Sequence, residues 1–501
     1  MATTVIRGAR VLELEGCRAM PGDVLIDGGT IRELGPPGMP APADAVILDA
    51  RDRLLMPGLV NAHTHGHGGL ARGVVPDRVP LEVLLTIAPA VNGGRTVEDK
   101  YLSAQLSAIE MIRRGCTACY DLYVEVPVPS VEGIEAAARA YRDVGLRAVV
   151  APMMADLTLW QALPGLLDAL PEPARRQVES LRAAPWKASV EVCRRILMSW
   201  SFPRDHVRPA LGPTIPLHCT DEFLVGCRDL SREFEVGIQM HLAESRTQAV
   251  LGRRKYGKTL TAHLAELGLV GPRFSGAHGV WLDRDDIRRL ADAGASVAHN
   301  PLSNLRLGSG VAPVRAMLGG GLRVGIGTDS ATSSDTQNMF EATRLASYLS
   351  RVQTADYQQW LTAPEVLGLA TVGSAGVLGL GDQIGRLTPG YKADIVFLDL
   401  THIGYVPLND ALVQIVNGES GAAVDSVMID GRLVLERGRL TTVDEAGVRA
   451  RAEAANSRLR ALNAESFSAL RGLERFVGAF CVGLAREPVA VRAAAEGEAR
   501  L

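Results

Sequence analysis

The sequence predicts an α/β protein: a (β/α)8 TIM-type barrel carrying a small β-sandwich domain assembled from both termini. Three observations predict it. Over residues 58–385 short apolar runs alternate with helical stretches, and strands alternating with helices build a parallel sheet. Segments of short strands and tight turns flank that span on both sides. Histidines recur where the apolar runs finish, which is where a β/α barrel carries its working residues.

The elements follow in chain order. Residues 24–31 place Asp27-Gly28-Gly29 between apolar residues, a hairpin signal. The same texture returns at 393–398 and at 427–434, around Asp430-Gly431. These segments give a β-sandwich over 1–57 and 386–440. The barrel occupies 58–385. Its strands are the runs ending at His63 and Asp121, then 147–152, 207–211, 237–241, 273–278, 296–299 and 323–328. Helices are predicted over 97–114, 132–144, 221–234, 283–293 and 338–352. Residues 160–205, with Trp160, Trp186 and Trp200, read as a helical insertion after the third strand that serves in part as a lid. A helical C-terminal segment spans 441–501. It is amphipathic to about residue 484, which suits packing or a homodimer or higher homo-oligomer, and its last dozen residues are expected to fray.

Composition narrows the class. A hydrophobic content of 47% against 22% charged supports a sizeable core. A net charge of -3, with both signs mixed along the chain, offers no nucleic-acid surface and no polybasic membrane patch. No stretch reaches the roughly 18 apolar residues of a spanning helix. Seven scattered cysteines, an odd number, argue against a disulfide framework and for a reducing compartment. Cys116 and Cys119 have CxxC spacing, but no second pair completes a zinc site, so both read as strand interior. The opening residues 1–6 enter strand-like sequence without a basic leader, and a cytoplasmic protein is expected.

The strand ends carry the chemistry. Strand one ends in His63-Thr64-His65, strand five in His241, strand six in His278, strand seven in His299 and strand eight in Asp329. A lone histidine is usually a hydrogen-bonded core residue; four strands ending this way is not that pattern. Imidazoles and a carboxylate around one point suit one divalent cation, Zn²⁺ first and Fe²⁺ second. His63, His65, His241 and Asp329 are the expected ligands. The metal would lower the pKa of a bound water to roughly 7. Glu244, three residues after His241, is the expected general acid/base. His278 would orient the water or a developing oxyanion, and Asp329 could also accept a proton.

The segments "MPGLVNAHTH", "HLAES", "GAHGVWL", "VAHNPLSNLRLGSGVAPV" and "GTDSATSSD" resemble, in order and spacing, the amidohydrolase superfamily. Within it they are similar to the cytosine/adenosine-type deaminases. That branch includes S-adenosylhomocysteine and 5'-methylthioadenosine deaminases, guanine-type deaminases and triazine hydrolases. The resemblance covers about residues 50–400, and "RLTPGYKADIVFLDL" extends it into the flanking β segment. It implies the same four ligands, proton transfer by Glu244 and contact of His278 with the reacting water. Two-metal members of the superfamily use a carboxylated lysine at the end of strand four. Here 209–214 contain no lysine, so one metal is expected.

The resemblance implies hydrolytic deamination of an amino-substituted nitrogen heterocycle of purine, nucleoside, pterin or triazine type. The alternative is displacement of chloride or alkylamine from a triazine-like ring, or opening of a cyclic amide, at the same site. Substrate contacts are expected from Arg72, Trp160, His218 and Ser330, with Ser333 and His67 as further candidates. Anchoring of the loop is an equal alternative for Arg72, and packing a strong one for Trp160. The branch often has a Trp-Leu pair after strand one; this chain has 79–85 as Val-Pro-Leu-Glu-Val-Leu-Leu, a departure that counts against ordinary nucleoside binding.

Overall fold

The computed structural model describes residues 3–126, 128–179 and 181–487. The C-terminal dozen expected to fray lies outside the described residues.

Nine strands form one sheet from both termini. The N-terminal five are β1 (Thr4–Glu13), β2 (Arg18–Asp27), β3 (Thr30–Gly35), β4 (Val46–Asp49) and β5 (Arg53–Pro57). The array that follows comprises β6 (Leu59–His65), β7 (Cys116–Val124), β8 (Arg147–Met154), β9 (Val207–Pro209), β10 (Gly212–Pro213), β11 (Ile238–Leu242), β12 (Phe274–His278), β13 (Ser296–His299), β14 (Arg323–Ile326) and β15 (Asp329–Ser330). The chain then returns with β16 (Ile395–Asp399), β17 (Val424–Ile429), β18 (Arg432–Glu436) and β19 (Arg439–Leu440). The terminal sheet runs β19-β18-β17-β16-β5-β1-β2-β3, with β4 on β1. The ladder is continuous, so its hydrogen bonds make one sheet rather than two. Ile6, Val24, Ile26 and Ile31 from its first half share a buried core with Ile395, Phe397 and Met428 from its second.

The middle strands pair in parallel, as strands joined through helices must. One sheet runs β10-β8-β7-β6-β15 with β9 on β8, and the other β11-β12-β13-β14. A bridge between Leu211 and Ile238 joins them on one side. On the other side β15 pairs with β6, Asp329 opposite Thr64. β14 leads along the chain, through Gly327-Thr328, into β15.

The expected helices stand within a residue or so of their places: Val97–Arg113, Val131–Val144, Asp221–Phe234, Arg284–Asp292 and Met339–Gln353. Their starts are capped as the sequence suggests. Thr96 with Asp99, and Asp283 with Asp286, form capping boxes. Two strands break where a single run was expected. Strand four divides at Ala210-Leu211, where the Ala210 N–H donates to Val150 O and the Leu211 N–H to Gly237 O on the opposite side. Strand eight breaks at Gly327-Thr328. A Cβ on Gly327 would lie 2.8 Å from the backbone of His63, and the Thr328 N–H donates to the Asn61 side chain at 3.0 Å. The 160–205 insertion is helical at Leu159–Ala162, Glu172–Glu179 and Trp186–Ser199. The C-terminal segment forms helices Glu445–Arg471 and Glu474–Ala485. No described helix is long and apolar enough to cross a membrane.

Candidate active site

Every residue of β6 is buried, and its alternation puts His63 and His65 on one side. The orientation of each imidazole is fixed from behind. His63 Nδ1 bonds Gln239 Oε1 at 2.7 Å. The Gln239 amide is itself fixed, because Nε2 donates to Ala62 O and to Ser275 Oγ. His65 Nδ1 donates to Leu122 O at 2.7 Å, and His241 Nδ1 to Thr214 O at 2.8 Å. With the protons on Nδ1, the Nε2 lone pairs are free to converge. His65 Nε2 and His241 Nε2 come within 3.1 Å of each other. Two lone pairs at that distance repel unless a proton or a cation sits between them.

Asp329 completes the cluster. Its Oδ1 lies 3.1 Å from His65 Nε2 and 3.4 Å from His63 Nε2. Its Oδ2 accepts from Ser303 Oγ at 2.5 Å and Ser333 Oγ at 2.8 Å. Burial opposes ionisation of Asp329, but the His63 and His65 rings against Oδ1 outweigh it and hold the carboxyl well below its ordinary range. His63 Nε2, Asp329 Oδ1 and His278 Nε2 are buried without a hydrogen-bond partner. Buried polar atoms are normally satisfied, so a group of unpartnered ones gathered at one place fits a cation. The donor set is nitrogen and carboxylate oxygen, which suits zinc or iron. His63, His65 and His241 form one group of ligand atoms within 4.8 Å, and His63, His278 and Asp329 form another. His278 therefore stands at the edge of the same cluster.

Glu244 is buried beside this cluster, with neither carboxylate oxygen hydrogen-bonded. Its backbone is held by the start of the helix Arg246–Tyr256: Ser245 caps the helix, and the Glu244 N–H donates to Gln248 Oε1 at 3.0 Å. Burial, with the charges of Asp329 and Glu82 nearby, pushes the Glu244 carboxyl well above its ordinary range. Glu244 Oε2 lies 3.6 Å from His278 Nε2, and His278 Nδ1 bonds Asn304 Oδ1 at 2.9 Å. Burial lowers His278 to about 4, so its ring is neutral near pH 7. Ala243, His278 and Asp329 all have positive φ, at 50°, 74° and 63°. Strained non-glycine backbone at three strand ends is where a functional constraint commonly shows.

The cluster opens into a cavity of about 610 Å³ lined by His65, His67, His241, Glu244 and Asp329, and by Trp160, His218, Ser330 and Ser333. His67 Nδ1 accepts from the Val124 N–H at 3.3 Å, which leaves the proton on Nε2. Ser333 braces Asp329, and Ser330 Oγ pairs with Thr332 Oγ1 at 2.8 Å. No lysine is among the lining residues. Arg72 is placed elsewhere. It pairs with Glu110 and lines a separate cleft beside the helix Glu445–Arg471, a contact that matches loop anchoring. His299 is buried behind the cluster, and burial drives it down to about 3.

Sequence reasoning missed the supporting network. Gln337 Oε1 accepts from Thr64 Oγ1 at 2.7 Å and Thr328 Oγ1 at 2.9 Å, while Nε2 donates to Asp329 O at 2.9 Å. Asn61 Nδ2 donates to Thr328 Oγ1 at 2.7 Å. Asn61 stands inside the "NAHTH" segment and was within reach of inspection; Gln337 and Gln239 carry no local signal.

A buried, pre-oriented imidazole–carboxylate cluster with a raised glutamate on one cavity defines a candidate hydrolytic metal centre on a mixed α/β scaffold. The amidohydrolase family model matches residues 54–434, and the chain belongs to that family. It is 34% identical to a 5-methylthioadenosine/S-adenosylhomocysteine deaminase of Syntrophomonas wolfei, over 86% of this chain and 93% of that one. Among solved structures, an adenosine deaminase from Xanthomonas campestris with bound zinc is 28% identical. It superposes with a TM-score of 0.80 over 92% of this chain and 99% of that one. Atrazine chlorohydrolase from Arthrobacter aurescens TC1, complexed with zinc, is 27% identical with a TM-score of 0.80, over 90% of this chain and 100% of that one.

Proposed function

We propose that the protein is a metal-dependent hydrolytic deaminase of an amino-substituted nitrogen heterocycle, releasing ammonia. The observation that carries this reading is Glu244: a buried carboxyl with both oxygens unpartnered, beside an imidazole–carboxylate cluster, in a chain similar to named deaminases. His63, His65, His241 and Asp329 would hold one divalent cation, Zn²⁺ first and Fe²⁺ as the alternative. When bound, that cation supplies the acidification of water that makes hydrolysis feasible at neutral pH.

The rest of the work falls to the chain's own groups. Glu244 donates from its carboxyl to the ring nitrogen of the substrate. It recovers a proton from the attacking water and passes it to the departing amine. Neutral His278, its Nδ1 proton committed to Asn304, presents Nε2 as an acceptor that orients that water. Asp329 is a second proton acceptor at Oδ1. His67, His218 and Ser330 contact the ring from the cavity wall, and Trp160 stacks on it.

The similarity to atrazine chlorohydrolase favours one other reading: displacement of chloride or alkylamine from a triazine-like ring, or opening of a cyclic amide, at the same site. On either reading the parallel strands constitute a closed (β/α)8 barrel over 58–385, with a small β domain, its one sheet folded over a buried core in the manner of a sandwich, from 1–57 and 386–440 and a helical segment 441–501. The insertion 160–205 closes over the cavity, and the working form is a cytoplasmic homodimer or higher homo-oligomer. Ammonia release by zinc-loaded protein across aminopurines, adenine nucleosides, pterins, aminopyrimidines and aminotriazines tests the reaction, with Glu244→Gln as control. Release from one compound class, lost in the variant, is expected. Silence from metal-loaded protein, with chloride or alkylamine released instead, would establish the alternative.

A further inference from the structure

We propose that the substrate carries an apolar substituent, received by the outer half of the cavity where a sugar would otherwise sit. This rests on the deaminase reading of the inner cluster and adds the class of compound that it accepts.

The outer walls come from four separate parts of the chain. Leu84 and Leu85 project from the helix Leu81–Asn92, Val126 follows β7, Trp160 and Leu181 belong to the insertion, and Leu470 comes from the C-terminal helix. Val126 and Leu181 are 45% and 44% exposed. Large aliphatic side chains around a cavity mouth gain by being covered, and an apolar group on a bound ligand would cover them.

The polar inventory of the same walls points the same way. A vicinal diol is best held by an acceptor with spare lone pairs, and the lining carboxylates are Glu125, Glu244 and Asp329. Glu244 and Asp329 belong to the inner cluster. Glu125 Oε1 accepts from the Ser130 N–H at 3.0 Å, and Oε2 accepts from Ser130 Oγ at 2.8 Å and from Lys100 Nζ. The Arg182 guanidinium is turned back onto the carbonyls of Glu179 and Leu181. Asn92 Oδ1 is a buried acceptor without a partner on these walls; sugar hydroxyls against the aliphatic remainder would lose water, whereas an alkyl group there would lose nothing polar.

The test compares three forms of one ring on the zinc-loaded full chain: adenine, 9-butyladenine and adenosine, with the corresponding aminopyrimidine and aminotriazine sets. Ammonia release is followed for each, and binding to Glu244→Gln is measured by calorimetry. The butyl form is expected to exceed the ribosyl form by about tenfold or more in kcat/KM, since each methylene fitted to an apolar pocket is worth about that much. Leu85→Gln should shrink the ratio of butyl to unsubstituted turnover, a ratio internal to the variant and so independent of how much of it folds. A ribosyl form turned over or bound as well as the butyl form would overturn this inference and leave deamination standing. No ammonia from any form of any ring would overturn the deaminase reading and this inference with it.

Discussion

The two ends of the cavity are built on opposite principles. At the inner end, polar groups are buried and the three expected ligand imidazoles are held from behind by hydrogen bonds: His63 by Gln239, His65 by Leu122 O, His241 by Thr214 O. At the outer end, the walls are aliphatic and aromatic side chains on helices and loops, partly open to solvent. The inner end fixes atoms to within a hydrogen bond, as chemistry on a reacting centre demands. The outer end fixes only shape and polarity, which suffices to select a substituent. Changes at the inner end should therefore alter rate and metal content, and changes at the outer end should alter which compound is accepted.

Glu244→Gln should have the largest effect. The amide keeps the shape but cannot carry the proton, so kcat should fall by about 10²–10⁴-fold with metal content unchanged. Steady-state kinetics beside elemental analysis would show it; loss of metal in the variant would instead make Glu244 part of the ligand set.

His218 gives a pH signature at the cavity wall. Burial, with Lys255 adding to it, lowers the ring to about 4 from an ordinary 6.5. The unfolded chain then binds the proton first as pH falls. The neutral ring's contribution to stability is full above pH 6.5 and is lost as pH drops towards 4. His218→Gln should recover up to about 3 kcal/mol of that loss. Urea unfolding of both proteins at neutral and mildly acidic pH measures it, and equal losses in the two would show that His218 does not contribute.

Gln239→Leu tests whether orientation matters at the inner end. It frees His63 to rotate without touching a proposed ligand atom, and metal affinity should drop by about 10–100-fold. Competition with a chromophoric chelator reads this directly. An unchanged affinity would mean that strand geometry alone positions His63.

Arg72→Ala is the smallest. The arginine side chain is 47% exposed and pairs with Glu110 outside the cavity. A partly exposed ion pair is screened, so stability should fall by less than about 1 kcal/mol with KM unchanged. A rise in KM would return Arg72 to the substrate site.

Much of this was legible in the residues themselves, for a physical reason. Strand periodicity is two, so "HTH" after an apolar run must place both rings on one side. Carboxyl ends of parallel strands lie along one edge of their sheet, which is why His241, His278 and Asp329 could be assigned to a common site from the sequence. The helices Val97–Arg113, Val131–Val144, Asp221–Phe234, Arg284–Asp292 and Met339–Gln353 declared themselves by caps and apolar spacing. What the tertiary structure alone decided depends on groups distant in the chain. Gln239 meets His63 across 176 positions, and Thr64 meets Gln337 across 273. No local pattern encodes a hydrogen bond between residues so far apart. Arg72 could be removed from the cavity only once Glu110 was seen beside it. The outer wall is the extreme case. Leu84, Val126, Leu181 and Leu470 come from unrelated helices and loops, and each reads locally as ordinary packing. Their shared surface exists only after the chain has folded, because burial and contact are properties of the assembled core and not of any segment.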